Sequence, residues 1–230
     1  VSLGQELSGW SAQLQSALSH IKHTLPEIHQ LAIGGTAVGT GINADKSFGA
    51  LVATQLSNST GLSFKVANNR FASLSSQDAA VALSGQLKTL ATALMKIAND
   101  LHWLNGGPLA GIGEIALPAL QPGSRIMPGK VNPVMPEATA MVCAQVIGND
   151  VAVTVGCMSG HYELNVFKPV MAANTLQSAQ LIGDACVSFT DNCAIGIEPN
   201  YPQIKQLLNN SLMLVFARVF ASTFFTITAQ

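Results

Sequence analysis

Apolar residues at Leu3, Leu7, Trp10, Leu14, Leu18, Ile21 and Leu25 recur in alternating steps of four and three, the spacing that gathers them on one face of a helix. Pro26 is expected to end that helix, since it lacks an N–H and its ring clashes with the preceding turn. A second stripe runs through Leu83, Leu87, Leu90, Leu94, Ile97, Leu101 and Leu104. It is opened by Ser75-Ser76-Gln77-Asp78, which reads as a capping box, and closed by Gly106-Gly107-Pro108. Such a sustained seam predicts packing nearly parallel to other helices at coiled-coil-like angles.

Asp45 to Leu56 predicts a shorter helix and Ser57 to Phe71 an irregular connection. Glu137 to Thr154, Pro169 to Thr190 and Pro202 to about Thr226 carry long apolar patterns without strand alternation. No solenoid-period repeat and no low-complexity tract competes with this reading. The expected fold class is all-α, a bundle of long helices.

Composition sharpens the picture. With 230 residues, 48% of them hydrophobic, the chain can bury a large core, and one domain is favoured over two short ones. Only 10% of residues are charged and the net charge is −1, so the basic stripe that nucleic acid requires is lacking. Low charge on so apolar a chain points to helices buried on several sides within an oligomer. Leu212 to Ala229 is apolar with Arg218 as its one formal charge; a buried bundle helix is favoured there over a membrane span, which needs about 20 apolar residues without a central charge. Cys143, Cys157, Cys186 and Cys193 show no zinc-like or C-x-x-C spacing and read as reduced, buried thiols. The start has no basic region followed by an apolar core, so no targeting segment is expected.

The candidate chemistry lies in Gly123-Ser124-Arg125-Ile126-Met127-Pro128-Gly129-Lys130-Val131-Asn132-Pro133. Glycines and prolines forbid a helix and let several amide N–H groups converge on one spot suited to an anion. Lys130 supplies a point charge, Asn132 a donor and an acceptor, and Ser124 a base only where its surroundings stabilise the alkoxide. A second glycine-rich stretch, Gly34 to Gly41, lacks the Gly-Lys-Ser/Thr ending of a phosphate loop, so nucleotide binding drops out. Nothing in these motifs calls for a cofactor or a metal.

The Ser124 loop resembles the G-S-x-x-M-x-x-K-x-N signature of the class II fumarase and aspartase superfamily. Leu3 to Glu6, Gly34 to Gly41, Leu94 to Asp100 and Val146 to Asp150 agree with that resemblance in order along the chain, which implies one central helical-bundle domain over 1–214 and a divergent segment over 215–230. Glu163 to Pro169 and the Pro-Gly-Lys form of the loop look more like fumarase than aspartase.

The resemblance implies reversible hydration of fumarate to malate. Ser124 would take a proton from the carbon beside a carboxylate, through an enediolate-like intermediate. Lys130, Val131 and Asn132 match substrate-binding positions, and cationic and hydrogen-bonding contacts that tighten as charge develops would lower the barrier. Arg125 departs from the usual second serine: it could fork onto a carboxylate, crowd the loop or stay solvated. Glu137 suits a helix start through the dipole alone, and the resemblance adds the holding of a histidine that acts as acid/base partner. Thr36 and Thr40 would help line the site. The partner histidine belongs to a Thr-His element upstream of Val1, so little activity is expected of this chain alone. His20, His23, His29 and His102 read as solvated or capping residues, and His161 is the best placed stand-in. The resemblance also implies a homotetramer with sites shared among chains, a place in the tricarboxylic acid cycle, and a cytoplasmic or mitochondrial matrix compartment. An aspartate ammonia-lyase and a non-catalytic helical assembly module are the alternatives.

Overall fold

A computed structural model describes residues 1–107, 110–121 and 131–211. Among them the fold is all-α in its architecture. Helix α1 spans Leu3–Ile28, β1 Gln30–Leu31, α2 Phe48–Thr60, β2 Lys65–Val66 and α3 Arg70–Ser75. Then follow α4 at Asp78–Leu104, β3 at Ile115–Ala116, α5 at Val134–Met158, α6 at Lys168–Asn192, β4 at Glu198–Pro199 and α7 at Tyr201–Asn210. The two-residue strands only staple loops, β1 parallel to β2 and β3 antiparallel to β4.

Helix α1 starts on a capping box of its own, with Gln5 N–H donating to Ser2 Oγ and Ser2 N–H donating to Gln5 Oε1. It runs through Pro26 and ends at Ile28, because a proline in the last turn forfeits one bond without stopping the few residues behind it. The capping box expected before α4 does not form: the N-cap is Gln77 without a side-chain bond, and Ser76 Oγ donates to Asp78 Oδ1 instead. Helix α2 lies three residues later at its start and four at its end than the apolar pattern suggested. The last expected helix is described only as far as α7, and Leu212 to Gln230 lies outside the described residues.

Helix α4 is the axis, packed against α1, α5 and α6. Its neighbours run antiparallel to it or to each other. Lys96 near its end meets Glu6 near the start of α1, Ser84 near its start meets Asp150 late in α5, and Asn149 meets Ser178 of α6. Leu87, Leu94, Ile97 and Leu101 of the expected seam are buried, with Ser84, Ala91 and Ala98 as small residues that let the helices approach. One cluster joins Leu87, Ala91 and Leu94 to Cys143, Val146 and Ile182; the other joins Trp10, Ile97 and Leu101 to Ile115 and Phe189.

This arrangement gives the bundle two ends. The first holds the start of α1, the end of α4, the start of α5, the end of α6 and α7. The second holds the end of α1, the Gly34–Gly41 loop, α3, the start of α4 and the α5–α6 turn. The 25 residues of α5 at about 1.5 Å rise put about 36 Å between them.

Candidate functional site

At the first end, the segment leading to the signature loop is pinned from both sides. Asn105 Oδ1 at the end of α4 accepts from Leu117 N–H at 3.0 Å, while Asn200 Nδ2 and Gln203 Nε2 of the α7 region each donate at 3.0 Å to the carbonyls of Gly113 and Ile112. Ile115 is buried in the core beneath. Beyond the loop, Asn132 O accepts from Val134 N–H at 2.9 Å and Pro133 O from Glu137 N–H at 3.2 Å, which opens α5. Pro136 is buried and anchors that first turn.

The expected residues divide accordingly. Val131, Asn132 and Glu137 come together at the start of α5, Val131 and Glu137 exposed and Asn132 half-buried. Glu137 is the acidic residue of the first turn, where the helix dipole favours it. Ser124, Arg125 and Lys130 lie outside the described residues.

Next to this region the sequence carries a charge cluster to which it lent no role. Lys96 Nζ contacts Glu6 Oε1 at 3.1 Å, pairs with Asp100 Oδ2 and lies 5.7 Å from the centre of a Trp10 ring. Trp10 Nε1 donates to Glu6 Oε1 at 3.0 Å. The Lys96 hydrogen bond, then its charge, holds the Glu6 carboxyl below its ordinary range. The Asp100 hydrogen bond in turn pushes Lys96 up.

At the second end sit Thr36, Thr40 and His161. The Gly34–Gly41 loop folds on itself, Gly39 and Gly41 N–H both donating to Gly35 O, and leaves Thr36 and Thr40 exposed. Gly39 has φ 96°, and a Cβ there would press into the Phe71 ring, so a side chain meets both strain and a clash. His161 and Leu164 exchange backbone bonds across a tight turn with Tyr162 at φ 51°. Asn165, 1% exposed, holds this turn: its Nδ2 donates to the carbonyls of Gly156 and Cys157, its Oδ1 accepts from Phe167 N–H, and its own N–H donates to Leu74 O.

No single chain therefore joins the stand-in His161, or Thr36 and Thr40, to the start of α5. Of the other histidines, His23 Nδ1 lies 2.7 Å from Ser19 O, His29 packs on Phe64 with ring centroids 5.1 Å apart, and His20 and His102 are exposed. Among the described residues no group of three or more His, Cys, Asp or Glu is placed to hold a metal.

Residues 1–148 match a family described as Lyase. The chain belongs to this lyase family. It is 57% identical over 217 residues to the class II fumarate hydratase of Pasteurella multocida, covering 94% of this chain and 47% of the relative. To the mitochondrial fumarate hydratase of Mus musculus it is 56% identical over 217 residues, covering 94% of this chain and 43% of the relative. Among solved structures, a class II fumarase from Schistosoma mansoni superposes with TM-score 0.89 at 44% identity, covering 94% of this chain and 48% of that one. A fumarate lyase:delta crystallin from Brucella melitensis, bound to cobalt, gives 0.90 at 41% identity, covering 95% and 48%. The lyase chain thus spans about half the length of the relatives it matches.

Proposed function

We propose that this lyase chain carries one part of a fumarate hydratase site that is completed by other chains of a homotetramer. The likeness to fumarate hydratases over nearly the whole chain supports the substrate, a small dicarboxylate. The separation of the two bundle ends supports the sharing. Val131, Asn132 and Glu137 are at the first end, about 36 Å along α5 from the second. One chain does not bring them to His161 or to the Gly34–Gly41 loop. In an assembly whose long helices lie side by side and opposed, the second end of one copy comes level with the first end of another.

Within such a site Ser124 takes the proton from the carbon beside the carboxylate. Loop N–H groups and the Lys130 ammonium stabilise the alkoxide beforehand and the dianion afterwards. Val131 and Asn132 orient the carboxylate, Arg125 forks onto it, and Glu137 orients the acid/base partner that protonates the departing hydroxide. Residues 1–214 act as one helical unit and 215–230 as a separate divergent segment, in the cytoplasm or the mitochondrial matrix.

The observation that carries this reading is that the residues flanking the Ser-Arg-x-Met-x-x-Lys-x-Asn motif are held at one end of the bundle, Ile112, Gly113 and Leu117 by Gln203, Asn200 and Asn105, and Asn132 by its bond to Val134 at the start of α5. Fumarate formed from malate, followed by absorbance, tests it against fumarate formed from aspartate. The assay is run on the chain alone and with the unmatched half of a complete fumarate hydratase supplied in trans. Malate turnover that Ser124→Ala lowers by at least two orders of magnitude supports the proposal. Turnover of aspartate instead moves the assignment to an ammonia-lyase. Turnover of neither under both conditions leaves a helical assembly module.

A further inference from the structure

Asn105-Gly106 is the one Asn-Gly pair in the sequence. It sits half-buried where α4 ends, with Asn105 as the C-cap. Asparagine before glycine is the pairing most prone to lose its side-chain amide, because glycine has no Cβ to shield its backbone nitrogen from the neighbouring Cγ. Three features of the structure hold that reaction off. Asn105 has ψ −4°, which makes the Gly106 nitrogen eclipse the backbone nitrogen of Asn105 and turns it away from the side chain. Gly106 N–H donates to Trp103 O at 3.1 Å, so the attacking nitrogen is engaged with the helix. Asn105 Oδ1 accepts from Leu117 N–H at 3.0 Å, which fixes the amide against the segment after β3. That segment is held in turn by Asn200 and Gln203, through the carbonyls of Gly113 and Ile112.

We propose that Asn105-Gly106 is a site of spontaneous deamidation gated by the Asn105–Leu117 bond, with water as the only co-reactant. When that bond opens, ψ of Asn105 rotates, the Gly106 nitrogen gives its proton to solvent and bonds to Asn105 Cγ. The Cγ–Nδ2 bond breaks, and Nδ2 leaves as ammonia with a proton returned by solvent. Water then opens the succinimide at either carbonyl. Attack at Cγ restores the ordinary backbone and leaves aspartate, whereas attack at the main-chain carbon leaves isoaspartate, its chain running through Cβ and Cγ. Aspartate still offers Leu117 N–H an acceptor, though its charge faces the negative end of the α4 dipole. Isoaspartate adds a backbone methylene and ends the bond. Because Asn200 and Gln203 hold the Leu117 segment from the α7 side, they set how often Asn105 opens. This goes beyond the catalytic proposal and stands independently of it.

Incubation of the whole chain at mildly alkaline pH, with peptide mass spectrometry and isoaspartyl methyltransferase labelling, tests the proposal. Asn58-Ser59, exposed within α2, is the internal reference. In guanidinium chloride Asn105 should convert to aspartate and isoaspartate faster than any other asparagine, and in the folded chain at least about tenfold more slowly than that. Asn200→Ala with Gln203→Ala should raise the folded-state rate several-fold and leave Asn58 unchanged. Gly106→Ala should suppress conversion in guanidinium chloride, where no folding is at stake. Hydrogen exchange of the Leu117 amide keeps the test decisive if the double variant loses α7: in the parent, at denaturant concentrations below unfolding, conversion of Asn105 should rise in proportion to Leu117 exchange. Conversion in the folded parent as fast as in the unfolded chain overturns the gating, and a slow Asn105 in the unfolded chain overturns the site. Leu117 exchange that rises with no change in conversion overturns the proposal as well.

Discussion

Asp150, buried late in α5, accepts from Lys88 Nζ at 2.6 Å and from Ser84 Oγ at 2.8 Å across the α4–α5 seam. The Asp150 side chain is 6% exposed and that of Lys88 46%, so the two partners are unequal. Lys88 reaches solvent past the seam, whereas the carboxylate depends on its two donors. Removing Lys88 leaves a buried charge with one hydroxyl. Lys88→Met should therefore cost about 1–3 kcal/mol, and adding Asp150→Asn should recover most of that, since the amide oxygen still accepts from Ser84. Urea unfolding of the single and double variants checks it; a double variant no more stable than Lys88→Met would show that charge burial is not the cause.

Gly160 offers a test of the second end. A Cβ there would press into the Ser75 carbonyl oxygen and onto Asn165 Nδ2. The obstacle is backbone, so it cannot swing away, and the Asn165 bonds that tie α3, α5 and α6 would be displaced with it. Gly160→Ala should destabilise by at least the roughly 1–3 kcal/mol usual for overpacking. Gly183→Ala on α6, where a Cβ meets nothing within 4 Å, should be near neutral or stabilising. Thermal melts of the two variants side by side separate local clash from a general helix effect.

These contacts also show what the sequence made legible. The α4 seam could be read because a helix with neighbours on several sides buries a continuous stripe, and Leu87, Leu94, Ile97 and Leu101 are all buried. The same stripe on α1 was equally clear, yet Leu7, Leu18 and Leu25 are exposed, because among the described residues α4 is the long helix that packs extensively on α1. The start of α4 misled because Ser76 and Asp78 satisfy each other rather than the helix end. At the candidate site, Asn132 and Glu137 both lie at the start of α5. The remoteness of His161 was not legible: sequence separation says nothing of distance until α5 is known to be one unbroken rod between them.

Proton linkage gives a prediction with a defined sign. Burial pushes the Cys143 and Cys193 thiols from an ordinary 9.0 up to about 11, with Cys186 adding to the effect on Cys143. A raised folded value means a contribution present below the unfolded value and lost as pH rises from about 9 through about 11. Lys96, raised by Asp100, acts in the same direction above 10.5. Glu6, lowered by Lys96, contributes above 4.5 and loses that contribution as pH falls through its folded value. Stability should thus be flat between these limits and fall on both sides. A thiol-disulfide reagent at pH 8 should modify Cys157 first and leave Cys143 and Cys193 unmodified until the chain is unfolded. Rapid native modification of either buried thiol would contradict the desolvation account.

The outer face of α5 makes the strongest prediction about assembly. Its inner stripe, Thr139, Cys143, Val146, Val153 and Gly156, is buried against α4 and α6, yet Met141, Val151, Val155 and Met158 form a second apolar stripe that is 68%, 59%, 49% and 75% exposed. By length and hydropathy this helix could cross a membrane, but its seam also buries Asn149 and Asp150 in side-chain hydrogen bonds to α4 and α6. A helix apolar on all sides is buried on all sides, and one chain covers only half of this one. Leu176 and Val187 extend exposed apolar surface onto α6. Copies of the chain should therefore associate through α5 and α6, and sedimentation at micromolar concentration should give a multiple of the monomer mass. Val151→Lys with Val155→Lys should shift the boundary to the monomer while leaving far-UV circular dichroism nearly unchanged, because neither side chain touches the internal seam. A soluble parent monomer, or a double-lysine variant that still sediments with the parent, would place the subunit contact elsewhere and remove the support for a site completed between chains.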